Sequence, residues 1–167
     1  MKQLILMRHA KSDWDNSLSD IDRPLSERGK REAPVVGKFL RKEKIIPDKL
    51  ISSPSQRTRE TLRYLMKELK EQINVEFNDI IYENIPKKIV ELISKTEENI
   101  KTLMILGHNP SMEGLYQSFS GILIDDNDIC EKFVTSAISL FEFDIKEWGE
   151  IVKAKGKLVF FKSPKEL

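Results

Sequence analysis

The sequence predicts an α/β fold built on a mostly parallel central sheet, and three observations carry that prediction. Short apolar runs such as Leu4–Met7 and Thr102–Leu106 show no polar alternation, as expected of strands covered on both faces. Stretches with a helical spacing of apolar residues lie between them, at Glu27–Lys44 and from Ser53 to about Lys70. Polar words follow the strands at once: Arg8-His9, Ser53-Pro54 and Gly107-His108-Asn109-Pro110. That places them at the carboxyl edge, where open α/β sheets bind ligands.

Composition narrows the function classes. The chain has 167 residues, 33% charged and 40% hydrophobic, which suits one soluble domain over 1–167. Lys+Arg number 28 against 27 Asp+Glu, a net charge of +1, so nothing in bulk electrostatics argues for nucleic acid or membrane binding. The N-terminal apolar run is too short for a signal-peptide core or a membrane span. The lone Cys130 cannot form an intrachain disulfide and suits a packed small hydrophobe. One Cys and two His cannot build a common structural zinc site. The expected location is cytoplasmic, with no metal and no cofactor.

The elements follow in order. The first strand ends at Arg8 and His9, and a polar loop runs from Ser12 to Leu25. Ser26 is a helix cap and Glu27 favours the positive end of the helix dipole. Ala33, Val36, Phe39 and Leu40 mark the buried face of the helix to Lys44; Pro34 within it should cost a hydrogen bond. Pro47-Asp48 is a turn and Lys49–Ser52 a second strand. Ser53-Pro54 is expected to cap and open a helix whose first turn carries Arg57 and Arg59. Asn74–Tyr82 is β-prone and ends before Glu83. Pro86–Ser94 is a helix that buries Ile89, Val90, Leu92 and Ile93. Thr102–Leu106 is a strand, and Asn109 and Pro110 open the next helix. An acidic loop spans Ile122–Phe133. Ala137–Phe143 and Ile151–Phe161 read as two strands of a hairpin around a turn at Asp144–Glu150, the second broken at Gly156.

The chemistry lies in the strand-end words. Three strand-to-helix junctions carry Arg8 with His9, Arg57, and His108, and both histidines of the chain fall at predicted strand ends. Arginine matches phosphate oxygens with a planar fork. Free N–H groups at a helix start add to such an anion site. Histidine serves as a nucleophile or a general acid/base near neutral pH. The pattern therefore points to a nucleophile held inside an anion site.

Leu6-Met7-Arg8-His9-Ala10, Ser52-Ser53-Pro54-Ser55-Gln56-Arg57-Thr58 and Leu106-Gly107-His108-Asn109-Pro110 together resemble the histidine phosphatase superfamily, the phosphoglycerate mutase-like group. Arg23-Pro24-Leu25-Ser26 extends the resemblance, which covers nearly the whole chain. It is nearest to the small phosphohistidine phosphatases of the SixA type, which have Ala after the Arg-His pair and lack a cap subdomain. The resemblance implies a three-layer α/β/α sandwich of phosphoglycerate mutase-like fold without a cap. It implies that His9 is the nucleophile and forms a phosphohistidine, and that Arg8, Arg57 and His108 surround the phosphate. His9 must then be neutral to attack, whereas His108 works best protonated.

Glu83 matches the stretch that supplies a proton donor in many relatives; otherwise it is a solvent-facing carboxylate. Ser12 and Asn109 are further candidates for phosphate contact. Asp13, Arg23, Arg59 and Ser111 are lesser ones, with ordinary readings as a solvated loop residue, a structural ion pair, an exposed helix face and a helix start. The implied activity is metal-independent phosphatase chemistry on a phosphohistidine-bearing protein. The alternative is a small-molecule phosphomonoesterase. A phosphate-binding scaffold without activity fits less well, because both histidines and both arginines are retained.

Overall fold

The computed structural model describes residues 1–14, 17–121 and 132–167. One six-stranded sheet runs through it, in the order β3-β2-β4-β1-β5-β6. These strands are β1 (Lys2–Arg8), β2 (Lys49–Ser52), β3 (Asn74–Phe77), β4 (Thr102–Gly107), β5 (Ile138–Phe143) and β6 (Lys157–Lys162). The pairs β1–β4, β4–β2 and β2–β3 are parallel. The β5–β6 hairpin joins antiparallel to the other side of β1. Among the described residues, five α-helices cover the sheet: α1 (Glu27–Lys42), α2 (Gln56–Leu69), α3 (Asp79–Glu83), α4 (Pro86–Ser94) and α5 (Ser111–Ser120).

Strand alternation divides the core into two layers. Ile5, Met7, Leu50, Met104 and Leu106 face one side and pack with Val36, Leu40, Leu62 and Leu65 of α1 and α2. Leu4, Leu6, Ile51, Leu103 and Ile105 face the other and pack with Ile81, Ile89, Ile93, Met112 and Leu115 of α3 to α5. Both faces are therefore covered, as the unbroken apolar runs require. Helices α1 and α2 approach closely at Gly37, where a Cβ would stand 2.9 Å from the Leu65 carbonyl oxygen. Ser26 caps α1, its side chain accepting from Gly29 N–H, and Pro34 lies inside the helix without ending it. Among the described residues, no helix is long and apolar enough to cross a membrane.

Several boundaries differ from the sequence expectation. Helix α2 starts at Gln56 rather than at Ser53-Pro54, because the Ser53 hydroxyl is used elsewhere: it bonds His108 and accepts from Ser55 N–H. The β-prone run at 74–82 splits after Phe77. Asn78 accepts from Ile80 N–H and starts α3, so Ile81 reaches the core from a helical turn. Helix α5 begins at Ser111, after Asn109 and Pro110. Ile151 belongs to a 3-10 turn, Trp148–Val152, and β6 starts only at Lys157. A register shift against Leu140/Phe141 then lets Leu158 and Phe161 share one face although they are three residues apart. Most of the expected acidic loop at Ile122–Phe133, and Cys130 with it, lies outside the described residues.

Candidate active site

Sheet register brings the three polar words together. Arg8 pairs with Gly107, and Ser52 with Leu106, so β1, β2 and β4 end level with one another. The ladder continues past the strands, His9 N–H donating to Gly107 O and Ser53 N–H to Leu106 O. His9 and His108 consequently sit side by side, with ring centroids 5.1 Å apart. Arg57 enters from the first turn of α2. Thr61 on the same helix accepts from Ala10 N–H and donates to Arg57 O, which ties the chain after His9 to the helix that carries Arg57.

Arg8, His9, Ser12, Arg23, Arg57, Glu83, His108 and Asn109 line one cleft. Its volume of about 620 Å³ accommodates a phosphoryl group and the group that bears it. His9, Arg57 and His108 are 6%, 6% and 4% exposed. His9 Nδ1 lies 2.6 Å from the Ala10 carbonyl. A carbonyl only accepts, so Nδ1 carries the proton of the neutral ring and Nε2 keeps a lone pair. Arg8 Nη1 and Asn109 Nδ2 both donate to Phe133 O. Arg8 Nε, Arg57 Nε and His108 Nδ1 are buried with no hydrogen-bond partner among the described residues. Each such atom costs about 1–3 kcal/mol, and unsatisfied groups of this kind gather at functional sites.

Burial first, and then the neighbouring cations, favour neutral rings. Burial, and then the adjacent His108, push the His9 pKa well below the usual imidazole value; Arg57 and Arg8 add to this and the Ala10 hydrogen bond opposes it. Burial and then Arg57 bring His108 down to about 3, against the pull of Asp20. A protonated His108 therefore requires an anion beside it. Binding of inorganic phosphate, at a pH where phosphate is already a dianion, should take up a proton. Calorimetry in buffers of different ionisation enthalpy measures this. Uptake is expected in the wild type and lost in His108→Asn; no uptake in the wild type contradicts the pairing of His108 with the anion.

Other candidates divide. Ser12 accepts from Arg23 Nη1, and Glu83 pairs with Lys88 at 2.9 Å while lining the cleft. Asp13, Arg59 and Ser111 do not line it. Arg59 stacks on Phe77, and Ser111 N–H donates to Asn84. Sequence reasoning passed over Lys11, Trp14, Asp20, Tyr82, Asn84 and Thr135, all of which line the cleft. Asp20 lies in a 3-10 turn, Asp20–Asp22, inside the polar loop, where no periodicity marks it. Tyr82 was hidden by the strand assignment, which assigns its stretch the wrong geometry. Asn84 donates to Asn109 O and accepts from Ser111 N–H, clasping the loop after β4.

Residues 4–99 match the model of the histidine phosphatase superfamily, branch 1. A protein of Mycobacterium tuberculosis, itself uncharacterized, is 31% identical over 163 residues, 95% of this chain and 100% of its own. A chloroplastic protein of Arabidopsis thaliana, also uncharacterized, is 35% identical over 165 residues, 93% of this chain and 72% of its own. SixA from Agrobacterium tumefaciens superposes with a TM-score of 0.83 at 24% identity, over 98% of each chain. The protein histidine phosphatase SixA complexed with tungstate gives a TM-score of 0.76 at 23% identity, over 98% of this chain and 97% of that one. The structural matches establish a SixA-like fold. With the family model spanning more than half of the chain and the Arg-His word at the end of its first strand, this chain belongs to the histidine phosphatase superfamily, branch 1.

Proposed function

We propose that the protein is a phosphatase working through a phosphohistidine on His9, with phosphohistidine on another protein as substrate. The observation that carries the chemistry is the His9 Nδ1 contact to the Ala10 carbonyl, which leaves Nε2 as the nucleophilic nitrogen among Arg8, Arg57 and His108. The Nε2 lone pair attacks phosphorus and forms the P–N bond while the bond to the leaving group breaks. Water then attacks the same phosphorus, the bond to Nε2 breaks, and His9 is returned neutral with release of inorganic phosphate. In-line transfer needs alignment and positive charge at the equatorial oxygens. Two guanidiniums and a protonated His108 supply that charge, so a chelator should leave the rate unchanged.

Two features support a protein substrate. The described residues contain no inserted subdomain over the cleft. The cleft also carries an exposed aromatic side chain: Trp14, which lines it, is 68% exposed. An exposed aromatic beside a polar site suits contact with another macromolecule.

Glu83 in the cleft favours the second reading, a small phosphomonoesterase. An alkoxide leaving group needs a proton in the transition state, and an imidazole needs that help far less. The test compares a phosphohistidine-bearing carrier protein with a panel of sugar phosphates, using the wild type and Glu83→Gln. The expected result is a wide preference for the protein in kcat/KM, with Glu83→Gln barely slowing it. A loss of about 100-fold or more on a preferred alkyl phosphate replaces this reading with the second.

A further inference from the structure

Asp20 accepts from three residues of the cleft. Its carbonyl oxygen takes Arg57 Nη1 at 2.7 Å, and its Oδ2 takes Arg57 Nη2 at 3.2 Å. The same Oδ2 accepts from the Tyr82 hydroxyl at 2.7 Å. Oδ1 accepts from Arg23 Nε and Nη2, both at 3.2 Å. Both terminal nitrogens of Arg57 are therefore given to one residue, while its Nε has no partner among the described residues. Tyr82 in turn meets the His108 ring edge-on, with centroids 5.8 Å apart. A carboxylate in an anion site opposes a phosphate dianion. Its presence there is useful only if it improves something other than anion attraction.

We infer that Asp20 is a positioning residue for phosphoryl transfer: it holds the Arg57 guanidinium in the orientation that serves the transferring group rather than the resting dianion. This rests on the phosphatase reading above. The physical reason lies in where charge sits during transfer. The moving phosphoryl group spreads its charge over three equatorial oxygens. Donors fixed in advance stabilise that arrangement more than donors that must reorient. A guanidinium whose two terminal nitrogens are held by a carbonyl and a carboxylate can turn little. The Asp20 negative charge acts on the ground state and the transition state alike, whereas the orientation it imposes is worth most in the transition state.

The test is a double-mutant cycle on anion binding. Affinities for vanadate, which adopts the five-coordinate geometry of transfer, and for inorganic phosphate are measured by calorimetry. The proteins are the wild type, Asp20→Asn, Arg57→Ala and the double variant. Asp20→Asn should weaken vanadate by about 10-fold to 100-fold, the size of effect that misplacement of a site group produces. Phosphate affinity should not weaken beyond about twofold, the scatter of uncoupled sites. In the Arg57→Ala background the second substitution should change neither. Asp20→Ser must reproduce the pattern, with a cooperative thermal transition in both single variants. Equal weakening of both anions, or the same loss with and without Arg57, overturns the inference. A wild-type protein that shows the binding pattern yet turns over neither phosphohistidine nor a phosphate ester overturns the phosphatase reading and leaves the Asp20–Arg57 coupling standing.

Discussion

Replacing His9 with alanine should reduce turnover by roughly 10⁴-fold or more, the range seen when a covalent nucleophile is removed. No other imidazole can substitute: His108, the second of the two in the chain, bonds the Ser53 hydroxyl through Nε2. The fold should survive. His9 lies at a strand end and makes one side-chain hydrogen bond, to Ala10 O. Losing that bond costs about 0.5–1.5 kcal/mol. For a chain of this size that corresponds to a shift of a few degrees in Tm, at about 2–4 °C per kcal/mol. Steady-state rates and a thermal melt on the same preparation check both statements. A His9→Ala protein that keeps its rate contradicts the mechanism.

Arg57→Ala and Arg8→Ala should each remove about 3–4 kcal/mol of transition-state stabilisation, by analogy with other preorganised donors. That is about a 100-fold to 1000-fold loss of rate. The consequences for the rest of the site differ. Without Arg57, the Asp20 carboxylate keeps Arg23 and Tyr82 but faces the cleft with less opposing charge. Without Arg8, the Phe133 carbonyl still accepts from Asn109. Arg57→Ala should therefore be the more damaging of the two. Arg57→Lys should recover little, because an ammonium cannot give the two parallel bonds that Asp20 accepts. An equal fall in kcat and kcat/KM identifies contacts made in the transition state. A rise in KM at constant kcat contradicts that role.

Much of the candidate site was legible in the sequence. Arg8 and His9, and likewise His108, follow uninterrupted apolar runs, and such runs fix both the strand and the end at which side chains emerge. Arg57 was legible because Ser53-Pro54 signals a helix start after Lys49–Ser52, and although α2 opens only at Gln56, Arg57 still falls in its first turn. What escaped depends on contacts distant in sequence. Asp20 bonds Arg57 and Tyr82, which lie 37 and 62 positions away, and no local pattern announces such a pairing. Tyr82 sits in a run whose composition suits a strand, but the Asn78 cap overrides that propensity. The Ile151–Phe161 region failed for a related reason. The irregularity opposite Leu140/Phe141 breaks the two-residue period that marks a strand, and Val159 is left exposed.

The proposal that His9 carries the phosphoryl group can be examined on the intermediate itself. Brief reaction with a labelled phosphohistidine substrate, quenched in base and digested, should place one phosphoryl group on the peptide that contains His9. The adduct should survive base, disappear in acid and be absent from His9→Ala. A label found on another residue, or turnover of the same substrate with no labelled peptide at any reaction time, contradicts a covalent route through His9.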